Sequence, residues 1–218
     1  AVNAIVHHGL QAITVRRLPG LSEYEATWQA MKEFTRARQS DTPDEIWLLQ
    51  HPAVYTLGQA GDASHRLSDN GIPMVKVDRG GQITYHGPGQ LVAYVLIDLR
   101  RRGITVKGLV RLIEQTLLDV LAAHGVRGEL QNGAPGVYVQ GAKVAALGLR
   151  VQKGCSTHGL SLNVNMDLSP FANINPCGYA GLLVTQTQSL GIRDSLEELQ
   201  TQLIDHLTIR LDGKTHDI

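Results

Sequence analysis

The 218-residue chain has only two cysteines, Cys155 and Cys177, no excess of charge of either sign, and no long apolar run. Two cysteines exclude a disulfide-dense scaffold and any four-cysteine metal knuckle. With 20 basic and 20 acidic side chains the formal net charge is zero. That balance argues against a broad nucleic-acid or anionic-membrane surface, while leaving room for a local basic patch. A bilayer span needs ~20 consecutive apolar residues, and no stretch approaches that. The first residues, AVNAIVHHGLQAITV, lack a charged start ahead of an apolar stretch and do not read as a signal peptide. There is no internal repeat, no low-complexity tract and no convincing linker. One domain over residues 1–218, in the cytoplasm, is therefore expected. Its length suffices for a hydrophobic core without disulfides or metals.

What is present is a mixture of strand and helix patterns. Strands are predicted at 12–18, 45–50, 53–57, 73–78, 90–98, 136–140, 143–151 and 156–166, with a tight turn at Gly141. Ser22-Glu23-Tyr24-Glu25 has capping-box character and opens a helix to about Arg38, closed by Ser40-Asp41-Thr42-Pro43. Val106, Leu109, Val110, Ile113, Leu117, Val120 and Leu121 recur at helical spacing, and Gly125 stands where a left-handed cap belongs. Asp194-Ser195-Leu196-Glu197 opens a last helix to about residue 209. Strands arrive in groups with helices between the groups, which favours α+β over a doubly wound parallel sheet.

Three segments depart from what core packing alone asks. The first, Arg79 to Gln90, interleaves Gly80, Gly81, Gly87, Pro88 and Gly89 with polar side chains. Glycine lets backbone approach a ligand closely, and the polar groups can orient a carbonyl or phosphate. The plainer reading is a turn-rich connection. No Gly-Lys-Ser/Thr follows, so it is not a Walker loop, and dinucleotide spacing is absent. In the second, Lys143 opens a strand of small and apolar residues through Leu149. It either snorkels to water or is a partly desolvated ammonium beside an apolar channel. In the third, Cys177 sits between Pro176 and Gly178, outside any periodic pattern. Cys155 reads as a buried small hydrophobe, and a Cys155–Cys177 disulfide is not expected in a reducing compartment. Cys155 and His158 are closely spaced, but a structural zinc site wants four ligands and no second pair stands nearby, so no metal is expected. His7-His8 reads as a surface pair.

Set together, these segments resemble the lipoyl(octanoyl) transferases. Arg79-Gly80-Gly81, Thr84-Tyr85-His86, Gly89-Gln90 and Tyr94 match that family in order and spacing, and residues 147–181, LGLRVQKGCSTHGLSLNVNMDLSPFANINPCGYAG, are similar almost throughout. The resemblance runs from about residue 14 to 209. It implies a fold similar to the catalytic domains of biotin and lipoate protein ligases, a mixed sheet flanked by helices. The implied reaction moves an octanoyl group from octanoyl-acyl carrier protein to a lysine of a lipoyl domain. The acceptors would be 2-oxo-acid dehydrogenase subunits or the glycine-cleavage carrier protein, with no cofactor and a monomer sufficing. By resemblance Cys177 is the acyl-accepting nucleophile and Lys143 its activating partner. Arg79, Gly80, Gly81, Gln82, Ile83, Thr84, Tyr85 and His86, with Ala146, Leu147, Gly148, Gly159, Leu160 and Ser161, match the stretches that bind the acyl substrate. A basic docking patch for an acidic donor is sought at Arg100-Arg101-Arg102, or at Arg150 and Lys153, against the plainer reading of solvated charges. Two rival activities leave Cys177 dispensable: an ATP-dependent lipoate-protein ligase, and a non-catalytic protein that binds acyl-carrier or lipoyl domains.

Overall fold

A computed structural model of the chain describes residues 2–8, 11–175 and 181–212. In chain order the elements are β1 (Val2–His8), β2 (Gln11–Leu21), α1 (Tyr24–Ala37), β3 (Asp44–Gln50), β4 (Val54–Leu57), β5 (Met74–Lys76), β6 (Ile83–His86), β7 (Gln90–Leu96), α2 (Leu99–Arg102), α3 (Val106–Ala123), β8 (Glu129–Gln131), β9 (Ala134–Val139), β10 (Ala142–Gln152), β11 (Cys155–Asn163) and α4 (Leu196–Asp212). Eight strands form one sheet in the order β1-β2-β3-β7-β11-β10-β9-β8, and three form a second, β5-β4-β6. Pairing in the large sheet is antiparallel except between β2 and β3, and β4 and β5 are parallel in the small one. The fold is thus α+β, with a mixed sheet flanked by helices.

Strand β7 shows how the layers arise. Successive side chains of a strand point to opposite faces. Leu91, Ala93, Val95 and Ile97 join Leu109, Ile113 and Leu117 of α3 and Leu199, Leu203 and Leu207 of α4 in the main core. Val92, Tyr94 and Leu96 join Met31 of α1 and Trp47 and Leu49 of β3 on the other side. Both faces are covered, so the strand reads as an unbroken apolar run rather than an alternation. The turns joining β9 to β10 and β10 to β11 are two-residue turns. Gln140-Gly141 has φ of 50° and 81°, and Lys153-Gly154 has 51° and 77°. Two successive positive φ values give the turn twist that suits a right-twisted hairpin.

The structure moves several boundaries. The cap of α1 is Glu23 and not Ser22: its carboxylate accepts from the amides of Glu25 and Ala26, while the Ser22 amide donates to Gln50 O and holds the chain to β3. The last capping box is shifted by one residue. The Glu198 amide donates to Ser195 Oγ, and the Ser195 amide to the Glu198 carboxylate. The segment from Arg79 to Gln90 is not all connection, because β6 within it pairs antiparallel with β4. Strands β1 and β8 have no counterpart in the sequence reading. Among the described residues no helix is long and apolar enough to cross a membrane.

The Arg100-Arg101-Arg102 cluster is divided: Arg100 is exposed, while the other two turn inward. Arg101 and Arg102, with Arg38 of α1, converge on Asp44 at the start of β3, a carboxylate with no exposure. The Asp98 amide donates to the same carboxylate, and the carbonyls of Ser40, Thr42 and Leu96 accept further protons from Arg38 and Arg101. Arg100 lies over Gly154. Three cations sharing one anion tie α1, α2 and β3 together, and removing the anion strands two buried guanidiniums. Asp44→Ala should therefore lower stability by about 3–5 kcal/mol, read from urea denaturation midpoints.

Candidate active site

The small sheet lies against the large one, and the space between is bridged by one buried arginine. Arg79 donates from Nη2 to Thr56 O (2.9 Å), Thr56 Oγ1 (2.8 Å) and Gln82 O (2.9 Å), and from Nη1 to Gly80 O (2.9 Å). The planar guanidinium presents several donors in a fixed fork, which suits a ring of carbonyls better than an ammonium would. The loop folded around it is pinned on two sides. Gly58, Gln59 and Ala60 donate amides to Gln82, Arg79 and Gly81, and the Gly80 amide donates to Leu149 O of β10.

This loop closes one side of a cavity of about 320 Å³. Its walls include Arg79, Gly80, Gly81, Gln82, Ile83, Thr84 and His86 from the loop and β6. From β10 and β11 come Lys143, Ala146, Leu147, Gly148, Gly159, Leu160 and Ser161. The structure thus gathers on one cavity nearly all the residues singled out from three separate stretches of sequence. Tyr85 is not among them. It alternates with Thr84 and His86 on β6, so its ring faces away and packs against Tyr55 and Phe171. Cys177 lies outside the described residues.

Small residues make the channel. Register pairs Gly148 with Gly159 and Ala146 with Ser161 across β10 and β11, and Gly159 with Tyr94 across β11 and β7. A Cβ at Gly148 would sit 2.9 Å from Gly80 O, and one at Gly159 would sit 2.2 Å from Ala93 O. Side chains there are excluded by neighbouring backbone. Lys143 stands at a bulge between β9 and β10. Its amide donates to Leu183 O, its carbonyl accepts from Thr185, and its stem passes over Gly136, where a Cβ would meet Lys143 Cε at 2.6 Å.

Residues the sequence reading did not assign to the substrate site complete the wall. Tyr24, Tyr94 and His158 line the cavity, and His51 stands behind them. Hydrogen-bond partners settle the tautomers. His51 Nδ1 faces Ser22 O at 2.6 Å, which can only accept, so Nδ1 carries the proton and Nε2 accepts from the Tyr94 hydroxyl at 2.6 Å. Gln90 donates its amide group to Tyr85 O and Asn163 Oδ1, so its oxygen accepts from His86 Nδ1 at 2.7 Å. His158 Nε2 donates to Asp78 Oδ1 at 2.9 Å. Burial pushes His51 down to about 4, against smaller opposing effects of Ser22 O and Glu23. Burial, with His51, Arg79 and His158 nearby, pushes His86 down to about 3. Burial also lowers His158, and holds Tyr24 up at about 12. The wall is therefore built of neutral rings. The plain signal that could have found it is a histidine directly after the apolar strand β3, His51, and another within β11, His158.

Of the two proposed basic alternatives, Lys153 is exposed in the turn between β10 and β11. Arg150 pairs with Asp78 at 3.2 Å. Cys155 is buried and free, with its thiol pushed up by burial; its backbone pairs with Asp98, and it is not among the residues lining the cavity. Among the described residues, no three His, Cys, Asp or Glu side chains converge as a metal site.

Comparison with known proteins assigns the class. Residues 23–208 match the lipoyl protein ligase A/B catalytic domain family, to which this chain belongs. Within that family its curated relatives are octanoyltransferases, which are acyltransferases. The octanoyltransferase of Aromatoleum aromaticum is 61% identical over 91% of this chain and 86% of its own length. That of Dechloromonas aromatica is 59% identical over 92% and 97%. Among solved structures, a lipoate-protein ligase A bound with ATP superposes with TM-score 0.71 at 18% identity, covering 90% of this chain and 85% of the other. The biotin protein ligase of Aquifex aeolicus gives TM-score 0.56 at 13% identity, covering 93% and 70%. These two likenesses concern the fold.

Neutral buried imidazoles make stability depend on pH. Below about pH 6.5 the unfolded chain binds protons that folded His51 and His86 refuse, so stability is full above that value and falls as pH drops towards about 4 and about 3. Each contributes up to about 1.4 kcal/mol per pH unit in that window. Denaturation midpoints measured from pH 7 to pH 4 should fall steeply, and less steeply in His51→Gln/His86→Gln. An unchanged slope in the double variant would contradict this account.

Proposed function

We propose that the chain, as one catalytic domain over residues 1–218, moves an octanoyl group from octanoyl-acyl carrier protein to a lysine of a lipoyl domain in the cytoplasm. The acyl group passes through a thioester on Cys177. Close relatives named octanoyltransferases support the reaction, and the observation that carries the site assignment is Lys143 on the wall of a channel floored by Ala146, Gly148 and Gly159.

The chemistry runs in two exchanges. The Cys177 thiolate attacks the donor's carbonyl carbon, a new C–S bond forms, and the carrier's sulfur leaves and takes up a proton. A free thiol is only a few per cent thiolate at neutral pH. An ammonium about 4 Å away contributes roughly 4 kcal/mol at an effective dielectric near 20, part of it cancelled by desolvation. Lys143 in its charged form supplies that partner. After acylation the negative partner is gone, and the apolar channel favours the neutral amine. Lys143 then takes a proton from the incoming lysine ammonium, whose nitrogen attacks the thioester. As the amide forms, the nitrogen gives up its second proton to the departing Cys177 thiolate, the C–S bond breaks, and Lys143 is left as the ammonium from which the resting pair re-forms once the thiol proton passes to solvent. No ATP is consumed, because one thioester replaces another and the amide is the downhill product.

Arg79 serves this reading through the loop, since its donors are turned to protein carbonyls. Acceptor choice between 2-oxo-acid dehydrogenase subunits and the glycine-cleavage carrier protein is part of the proposal, as is a monomer. Intact mass spectrometry after incubation with octanoyl-carrier protein should show a gain of one octanoyl group. The gain should be reversed by hydroxylamine and absent in Cys177→Ala. Full activity in Cys177→Ser would instead favour a ligase or a binding protein.

A further inference from the structure

We propose that His158, braced by Asp78, forms with Tyr94 the stop at the closed end of the acyl channel, and so sets the longest acyl chain the enzyme accepts. The inference rests on the octanoyl-transfer reading above, with the reacting carbonyl at Lys143.

The first observation is a break in strand alternation. On β11, Gly159 and Ser161 share the channel face with Tyr94 and Val92 of β7. Leu160 and Leu162 belong to the opposite core beneath α3 and α4. His158 has the parity of Leu160 and should point the same way. Its φ is instead +62°, in the left-handed region, and it is 2% exposed with its ring on the channel side. A side chain at positive φ costs on the order of 1–2 kcal/mol, so surrounding contacts must hold it.

Those contacts are present. Asp78 accepts from His158 Nε2 at 2.9 Å and from Trp28 Nε1 at 3.1 Å, and its other oxygen meets Arg150 at 3.2 Å. The imidazole then meets the Tyr94 ring edge to face, at 6.2 Å between centroids and 86° between planes. Tyr94 is itself anchored through its hydroxyl to His51. Each ring thus has a polar atom tied to protein. Ring bodies held in this way form a firm apolar surface of the kind a methyl end requires.

The position fits an end stop. His158 lies opposite Leu149 in the β10–β11 register, six residues along β10 from Lys143. At ~3.3 Å per residue that is roughly 20 Å. The Gly80 amide donates to Leu149 O at 2.9 Å, so the arginine loop closes the channel at the same level. An extended chain advances ~1.2 Å per bond, as three bonds of extended backbone advance ~3.6 Å, so the octanoyl chain extends ~9 Å. The run therefore accommodates the Lys143 stem, the reacting thioester and eight extended carbons before it reaches the rings.

The test uses glycine and asparagine, which tolerate the left-handed backbone, so that ring loss is not confused with misfolding. Wild type, His158→Gly and His158→Asn are compared with carrier protein bearing hexanoyl, octanoyl, decanoyl and dodecanoyl groups, reading kcat/KM from acylation of a lipoyl domain. In His158→Gly decanoyl and dodecanoyl should gain relative to octanoyl, by up to about fourfold per added methylene now buried. His158→Asn should shift the same way by less. An octanoyl optimum retained in both His158 variants, or an equal loss for every chain length, overturns the proposal while leaving the transfer reading intact. Failure of wild type to accept octanoyl from the carrier would instead overturn the transfer reading.

Discussion

The buried Arg79 guanidinium is the interaction on which the site depends. It donates to four acceptors on Thr56, Gly80 and Gln82. A buried cation is costly unless its protons are accepted, so the loop must wrap around it in one geometry. That geometry delivers the Gly80 amide to Leu149 O and roofs the channel. The same positive charge acts at a distance. It opposes protonation of His86 and His158, reinforcing what burial already does. One residue thus organises both the shape of the cavity and the neutrality of its wall.

Around this clamp the protein separates two kinds of electrostatics. Apart from Arg79 on the wall, these ion pairs stand outside the cavity lining: three arginines on Asp44, Arg150 on Asp78, Arg16 on Glu45. Beside the channel stand neutral rings with defined tautomers, small residues, and Lys143. Lys143 stands half-buried among them at the bulge of β10. At Gly148 and Gly159 neighbouring carbonyls stand so close that any side chain would collide.

Much of this was legible from local pattern. The stripe from Val106 to Leu121 announced α3, Gly125 its end, and grouped strands the α+β class. The glycine-rich 79–89 segment and Lys143 stood out because each breaks what a core or a turn would require. Boundaries were less legible where two residues offer the same chemistry. Ser22 and Glu23 can each cap a helix, and the Ser22 amide was taken by β3. Tyr85 looked equivalent to its neighbours until strand alternation turned it to the Phe171 side. The Arg100–Arg102 run read as surface because a buried acid that would hold it, Asp44, lies more than fifty residues away in sequence, beyond any local window.

The amino-acid sequence by itself determined the elements, the family and the residue types available for acyl transfer, because capping, apolar periodicity and motif spacing act within a few neighbouring residues. Only the tertiary structure decided which side of each strand faces the cavity, that Arg79 holds a loop with its known donors, and that His158 turns against its own strand's alternation. Those outcomes depend on long-range register between β7, β10 and β11 and on partners such as Asp78, brought within hydrogen-bonding distance by packing alone.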